Sequence, residues 1–217
     1  MRKVTLLDDT ILYVHDEGEA FSDVIASERD YFEKEVLEYM AANHPQQDII
    51  LDIGANIGNH ALYFSQYLEN RAVIAFEPVA ENYELLKLNT HRIPNVLIRN
   101  EAVGAFRGGV GLTVNRADMS ACEVSSQYNH EKGHRKISQV RVDDLLLIPR
   151  VTLMKIDVAG YEPEVLKGAA NILEQDKPLV LMEDGVHAEL LPDDYYLLQA
   201  WIAHKTYLFG PLEDINA

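Results

Sequence analysis

The residues best suited to chemistry lie in a glycine-containing turn within DIILDIGANIGN, residues 48–59. Gly54 and Gly58 are of a type that lets the backbone take positive φ and lets backbone N–H groups approach a ligand. Asp52 precedes the first glycine by two positions. A carboxylate beside such a turn favours a ligand with an ammonium group over one that presents only a pyrophosphate.

The spacing of the turn argues against a nicotinamide dinucleotide. A dinucleotide fingerprint, G-x-G-x-x-G, would place glycines where this chain has Asn56 and Asn59. The pattern present is D-x-G-x-N-x-G, so an oxidoreductase is a disfavoured alternative. A tight strand–helix turn that binds nothing is the other interpretation.

A second acidic residue stands where a ribose would be bound. Glu77 follows the apolar segment 72–76 and precedes Pro78. An acid about 20 residues after a glycine loop, at the end of the second strand, accepts hydrogen bonds from ribose hydroxyls. We therefore predict that Glu77 binds a ribose, the alternative being a surface carboxylate that merely ends a strand.

These residues must be positioned by a parallel sheet. Short apolar segments, predicted to be buried strands, alternate along the chain with helical patterns. The segments are 49–53, 72–76, 96–98, 151–156 and 179–182. Such alternation predicts an α/β fold with a doubly wound, mostly parallel sheet and helices on both faces.

The remaining segments are predicted to surround this sheet. Residues 1–47 are expected to form a hairpin and a covering helix, with an irregular stretch at 16–27, and residues 48–217 the main domain. Residues 105–138 read as a long irregular lid over the acceptor or a disordered insert. A last helical region is expected over 192–203.

Composition narrows the partners and the compartment. Lys and Arg number 19 against 35 Asp and Glu, a net charge of −16 that would repel nucleic acid. Cys122 is the single cysteine, expected to be a free structural or surface thiol in a reducing, cytoplasmic compartment. Asp8 and Asp9 interrupt the first apolar run, so no signal peptide is expected, and no segment reaches the roughly 18 apolar residues of a membrane span.

The ordered set of motifs resembles one family. DIGANIGN resembles motif I of the class I S-adenosylmethionine-dependent methyltransferases, and the whole set resembles the FkbM-like family among them. The motifs, in chain order, are DIGANIGNHALYFS, AFEPVAENYELLKLN, NEAVG, VRVDDLL, LMKIDVAGYEPEVLKGA and PLVLME. The resemblance implies a seven-stranded Rossmann-like sheet and an O-methyltransferase acting on a sugar, polysaccharide or related small product.

The same resemblance assigns a cofactor, S-adenosylmethionine, to the turn and to the ends of the next two strands. The residues expected to bind it are Asp52, Gly54, Ala55, Asn56, Gly58, Asn59, His60, Glu77, Pro78, Glu101 and Ala102. Glu101 or the Ala102 backbone would contact the adenine, and His60 the cofactor carboxylate. For His60 and Glu101, a solvated side chain is the alternative.

Transfer to a hydroxyl needs a group that removes its proton, because an alcohol is a poor nucleophile. Asp157 is predicted to line the transfer site, and either His187 or Glu183 to take the proton. Lys155 would orient the acceptor or pair with a carboxylate. Convergence of Asp157, Glu183 and Asp184 would leave a divalent metal open as an additional cofactor.

One position departs from the family pattern. Ala159 follows KIDV, where the family usually has an acid. Two interpretations therefore stay open beside the O-methyltransferase: a methyltransferase-like module that binds the cofactor without transfer, and, less favoured, the nicotinamide-dependent oxidoreductase.

Overall fold

A computed structural model of the protein describes residues 1–145 and 149–211. Residues 212–217, at the end of the predicted main domain, lie outside the described residues. The strands are β1 (Arg2–Thr5), β2 (Ile11–Val14), β3 (Ile49–Ile53), β4 (Ala72–Phe76), β5 (Val96–Arg99), β6 (Ala102–Val103), β7 (Gly108–Thr113), β8 (Glu123–Ser125), β9 (Arg135–Val140), β10 (Val151–Ile156), β11 (Leu179–Glu183), β12 (Tyr195–Trp201) and β13 (Thr206–Pro211). The α-helices are α1 (Ala20–Glu28), α2 (Lys34–Asn43), α3 (Asn59–Tyr67), α4 (Ala80–Thr90), α5 (Glu162–Gly168) and α6 (Ala170–Gln175).

A seven-stranded sheet forms the centre of the molecule, with the strand order β12-β13-β11-β10-β3-β4-β5. The five strands from β11 to β5 are parallel, and β13 is antiparallel to both of its neighbours. The predicted doubly wound, mostly parallel sheet is confirmed. Strand order reverses between β3 and β10, and in open α/β sheets ligands bind beside the strand ends at such a point.

Both faces of the central strands β3 and β10 are covered, which explains why these two strands are mostly apolar. Ile49, Leu51 and Ile53 pack with α5, α6 and part of a smaller sheet, whereas Ile50 packs with α2, α3 and α4. Successive side chains of a strand point to opposite faces, so each apolar residue has a core to enter. Asp52 shares the face of Ile50 and is fully buried.

The N-terminal part contains one more helix than expected. β1 and β2 pair antiparallel as the predicted hairpin. The irregular stretch expected over residues 16–27 is wrong, because α1 occupies most of it. Glu19 caps α1 by accepting a hydrogen bond from the Ser22 N–H, and Ile25 is fully buried.

The expectation of an irregular stretch at 105–138 is also wrong. β7, β8 and β9 lie in this segment and join β6 in a four-stranded sheet of order β6-β9-β7-β8. Val110 and Leu112 of β7 face inward and are buried. Polar residues on the exposed side hid this half-buried pattern in the sequence. The role of the segment as a lid over the acceptor stays a prediction.

The helical region expected at 192–203 is wrong, since β12 occupies residues 195–201. Its residues pair antiparallel with β13, with a register shift between Leu197 and Gln199. The partner strand comes later in the chain, so a local pattern gave no indication of this pairing. Within the described ranges, no helix has both the length and the apolar character to cross a bilayer.

Replacing Gly54 tests how closely β3 and β10 approach at their carboxyl ends. Gly54 has a φ of 81°, and a Cβ built on it would lie 1.8 Å from the Asp157 carbonyl oxygen. We expect Gly54→Ala to lower the free energy of unfolding in urea by about 3 kcal/mol or more.

Gly133→Ala is the matched control for this prediction. Gly133 also has positive φ, at 74°, but a Cβ there meets no atom within 4 Å. Its loss should stay near the backbone strain alone, about 1–2 kcal/mol. Equal losses in the two variants would contradict the close approach at Gly54.

Candidate functional site

The turn after β3 is shaped by three left-handed residues. Gly54, Asn56 and Gly58 have φ angles of 81°, 51° and 93°. The backbone N–H groups of Gly54 and Ala55 donate to the Phe76 carbonyl at 3.0 and 2.9 Å, which anchors the turn to the end of β4. The turn therefore opens at the switch point between β3 and β10.

Gly58 is required by packing as well as by its φ angle. A Cβ on Gly58 would lie 2.8 Å from Cδ1 of Leu86 in α4. Sequence reasoning attributed the glycines to the ligand and to positive φ. The structure adds a second cause, since Gly54 and Gly58 both let two parts of the chain approach each other.

Glu77 ties the end of β4 to the turn. Its side chain is buried, and its two carboxylate oxygens accept hydrogen bonds from the backbone N–H groups of Asn56 and Val79, each at 2.8 Å. Burial raises the pKa of Glu77 to about 7 against the effect of these hydrogen bonds. Each carboxylate oxygen has a second lone pair, so the group can still accept from a ligand.

A first cavity runs from the turn along the ends of β4 and β5. Six of the predicted cofactor residues line it: Gly54, Asn56, Glu77, Pro78, Glu101 and Ala102. Sequence reasoning missed others that line it too: Phe76, Val79, Asn82, Met119, Cys122, Val124 and Tyr161. Glu101 is paired with Arg99 at 2.6 Å, and Cys122 is a buried thiol of this wall. Val124 lies in strand β8 of the small sheet, and Met119 and Cys122 lie in the connection between β7 and β8, which local patterns did not predict.

A second, more polar cavity joins the first. The predicted residues that line it are Ala55, Asn56, Asn59, His60, Lys155, Asp157, Glu183 and His187. The residues that sequence reasoning missed include Phe21, Phe32, Asp118, Ser120, Ala121 and Lys205. Asn56, Ser120 and Asp157 line both cavities, so these three residues mark the junction between them.

Asp52 and Gly58 line neither cavity. The group beside the Asp52 carboxylate is the chain's own ammonium, because Lys155 Nζ lies 3.3 Å from Asp52 Oδ1. The same Nζ lies 3.1 Å from Asp157 Oδ2 and donates to the Gly54 carbonyl at 2.8 Å. A contact between Asp52 and a ligand stays a prediction.

Two neighbouring carboxylates favour the charged form of Lys155. Burial by itself lowers the pKa of a lysine, but the Asp157 and Asp52 carboxylates outweigh it and raise the pKa of Lys155. Asp52 and Lys155 are neighbours in the register of β3 and β10, and both side chains are at most 5% exposed.

Asp157 and Glu183 form a carboxyl pair that shares a proton unequally. Burial, a hydrogen bond with Asp157 and the charge of Asp157 raise the pKa of Glu183 to about 8. Burial also opposes the ionisation of Asp157, but Lys155 and the hydrogen bond with Glu183 lower its pKa. At neutral pH, therefore, Glu183 carries the proton and Asp157 carries the charge.

His60 is buried, which excludes the solvated alternative. Its Nε2 lies 3.2 Å from Glu33 Oε2, and the Thr206 hydroxyl donates to Oε1 of the same glutamate at 2.5 Å. Asn59 holds the Phe32 backbone through its side-chain oxygen and nitrogen, at 3.0 and 3.1 Å. Glu33 carried no motif that would have revealed this pairing.

His187 lies on the wall of the second cavity, with its Nδ1 3.9 Å from Glu189 Oε1. Across the described part of the chain, no group of three or more His, Cys, Asp or Glu side chains is arranged to hold a metal ion. The convergence of Asp157, Glu183 and Asp184 on a metal is therefore not observed.

Comparisons with known proteins match a family model and relatives that are named as methyltransferases. The profile of the methyltransferase FkbM domain matches residues 52–209. The protein named hexuronic acid methyltransferase AglP, from Haloferax volcanii, is 29% identical over 168 residues, which are 75% of this chain and 65% of that protein. The protein named methyltransferase 1, from Beauveria bassiana, is 25% identical over 194 residues, 77% of this chain and 75% of that protein.

Solved structures share the fold. The methyltransferase FkbM from Methylobacillus flagellatus aligns with a TM-score of 0.55 and 16% identity, over 76% of this chain and 44% of that one. The putative methyltransferase yhhF from Escherichia coli aligns with a TM-score of 0.54 and 11% identity, over 97% and 98% of the two chains. At these identities the likeness concerns the fold alone.

The raised pKa of Glu183 predicts a pH-dependent stability. Its pKa is 4.5 when unfolded and about 8 when folded, so its stabilising contribution is present below pH 4.5 and is lost as the pH rises through 8. Between pH 5 and 8.5, we expect the free energy of unfolding to fall less in Glu183→Gln than in the wild type, by about 1–2 kcal/mol. The difference is smaller than the full pKa shift implies, because the Glu183 side chain is only partly buried.

Urea titrations at several pH values measure this difference in slope. Glu189→Gln is the control, since the Glu189 side chain is 66% exposed and should leave the slope unchanged. Parallel curves for Glu183→Gln and the wild type would contradict the proton on Glu183.

Proposed function

Since this chain belongs to the methyltransferase FkbM family, we propose that it is an S-adenosylmethionine-dependent O-methyltransferase whose acceptor is a hydroxyl of a sugar or a related small product. One observation carries the proposal: the ionised Asp157 lines the junction of two cavities, one walled by apolar side chains and Glu77, the other polar. Such a junction has one cavity for the methyl donor and one for the acceptor.

The first cavity suits the nucleoside part of the cofactor. Glu77 is buried and retains free lone pairs for ribose hydroxyls. Phe76, Val79 and Met119 supply apolar walls for a flat base, with Glu101 at its edge. When bound, S-adenosylmethionine supplies a methyl group on a positively charged sulfur.

The second cavity offers the means to remove a proton from an acceptor hydroxyl. Asp157 is the ionised member of the carboxyl pair, so we assign proton acceptance to Asp157. Glu183, which carries the proton at neutral pH, then keeps Asp157 in place through their hydrogen bond. This assignment differs from the sequence-based one, in which Glu183 or His187 took the proton.

Support for a sugar acceptor comes from one relative. The Haloferax volcanii protein is named for a hexuronic acid, and this chain spans 65% of its length. The polar lining of the second cavity is compatible with a hydroxyl-rich molecule, and a net charge of −16 disfavours nucleic acid.

A second candidate, a module that binds the cofactor without transferring its methyl group, is motivated by Ala159. This residue stands in the place of the family's usual acid, has a φ of 51° and lines the second cavity. If the acid serves the acceptor, its absence removes a contact from that cavity. Transfer activity separates the two candidates.

A calorimetric titration of the protein with S-adenosylhomocysteine tests whether the site binds the cofactor. We expect the wild type to bind it and not NAD. We expect Glu77→Gln to bind about 10- to 100-fold more weakly, because a carboxylate that accepts ribose hydroxyls is lost. Glu84→Gln, an exposed change on α4, is the matched control. Wild-type binding of NAD alone would overturn the proposal.

Asp157→Asn tests the transfer step. We expect methyl transfer to a panel of sugar acceptors, measured with a labelled methyl donor, to fall about 10²- to 10⁴-fold in kcat. Affinity for S-adenosylhomocysteine should change only a few-fold. His187→Gln is the comparison variant, and a larger kcat loss there than in Asp157→Asn would assign the base to His187. A wild type that binds the cofactor yet methylates none of the sugars would favour the module without transfer.

A further inference from the structure

We infer that Glu19 is a positioning residue of the site, which holds the short helix Met119–Ala121 over the junction of the two cavities. We call this short helix the roof helix. The inference rests on the proposed function, because it concerns how the pocket for the cofactor is closed. Glu19 belongs to the N-terminal part of the chain, outside the region that matches the family profile.

The carboxylate of Glu19 joins two elements. It is 5% exposed, and its Oε1 accepts a hydrogen bond from the Met119 N–H at 3.1 Å. Its Oε2 accepts from the Ser22 N–H at 2.8 Å, at the start of α1. One side chain therefore links α1 to a residue 100 positions away.

Asn82 of α4 holds the other backbone group of Met119. Asn82 is 1% exposed, and its Nδ2 donates to the Met119 carbonyl at 3.2 Å. Its Oδ1 lies 2.8 Å from Nε2 of His15, which follows β2, and the His15 N–H donates to the Ser22 hydroxyl at 3.1 Å. The N–H and the C=O of Met119 are thus both held by buried side chains from other elements.

Loss of either partner would leave a buried backbone group of Met119 without its hydrogen bond, which costs free energy. That cost fixes the place of the roof helix. Met119 packs against Val79, Leu112 and Cys122 and lines the first cavity. Ser120, the next residue, lines both cavities, as Asp157 does. The position of Ser120 at the junction therefore depends on the two hydrogen bonds by which Glu19 and Asn82 hold the Met119 backbone.

The residue type at position 19 supports a role beyond capping. Helix N-caps favour Ser, Thr, Asp and Asn, whose short side chains reach the N–H groups of the first turn. A glutamate is longer than capping requires. Its extra methylene separates the carboxylate from the backbone far enough for one oxygen to cap α1 while the other reaches Met119.

Glu19→Asp separates the two roles, because aspartate keeps the cap and loses the reach to Met119. We expect hydrogen exchange of the Met119 amide, measured by NMR without ligand, to become at least about 10-fold faster. We expect the Kd for S-adenosylhomocysteine to rise about 10-fold and the KM for the methyl donor to rise with it, while kcat changes less. The urea unfolding curve of Glu19→Asp should stay cooperative, which shows that the variant is folded.

Two further variants complete the test. Glu17→Asp is the matched control, an exposed glutamate two positions away, and should change neither exchange nor binding. Asn82→Ala removes the hydrogen bond to the Met119 carbonyl and should change both measurements in the same direction as Glu19→Asp.

The outcomes separate this inference from the proposed function. Unchanged Met119 exchange in Glu19→Asp would overturn the claim that Glu19 holds the Met119 N–H. Faster exchange with unchanged affinity would overturn its role in the site. A wild type that does not bind S-adenosylhomocysteine would overturn the proposed function instead. The exchange measurement without ligand would still report on the hydrogen bond between Glu19 and the Met119 N–H.

Discussion

The buried ammonium of Lys155 is the constraint on which the site depends. It lies between Asp52 and Asp157 and donates to the Gly54 carbonyl. Removing a charge from water costs several kcal/mol, which is offset only when its partners are well placed. Two parallel strands and the glycine turn must therefore meet at one geometry, and Gly54 is the residue small enough to allow it.

The charge of Lys155 also influences which of the neighbouring carboxyl groups is protonated. Asp157, in contact with Lys155, stays ionised, whereas Glu183 is neutral at pH 7. Glu77 lies in the other cavity, and burial raises its pKa as well. Different surroundings thus give three acids at one edge of the sheet different pKa values.

The N-terminal part contributes to the site from outside the family-matched region. Glu33 holds His60 at the start of α3, and Glu19 holds Met119. Both glutamates are buried or nearly so, and both bridge the N-terminal part to elements that line the cavities. A covering helix was expected from the sequence, but the cover acts through these two carboxylates rather than by apolar contact alone.

The sequence by itself determined the parallel core and the turn, because strands 49–53 and 151–156 and the residues Gly54 and Gly58 carry local signals of period and φ angle. It also marked Glu77 by its distance from the turn. Only the tertiary structure decided the small sheet and β12, whose pairing joins segments without a local pattern. It also decided which ammonium lies beside Asp52. A buried charge pairs with the group nearest to it in space, and the register of β3 and β10 places Lys155 beside Asp52.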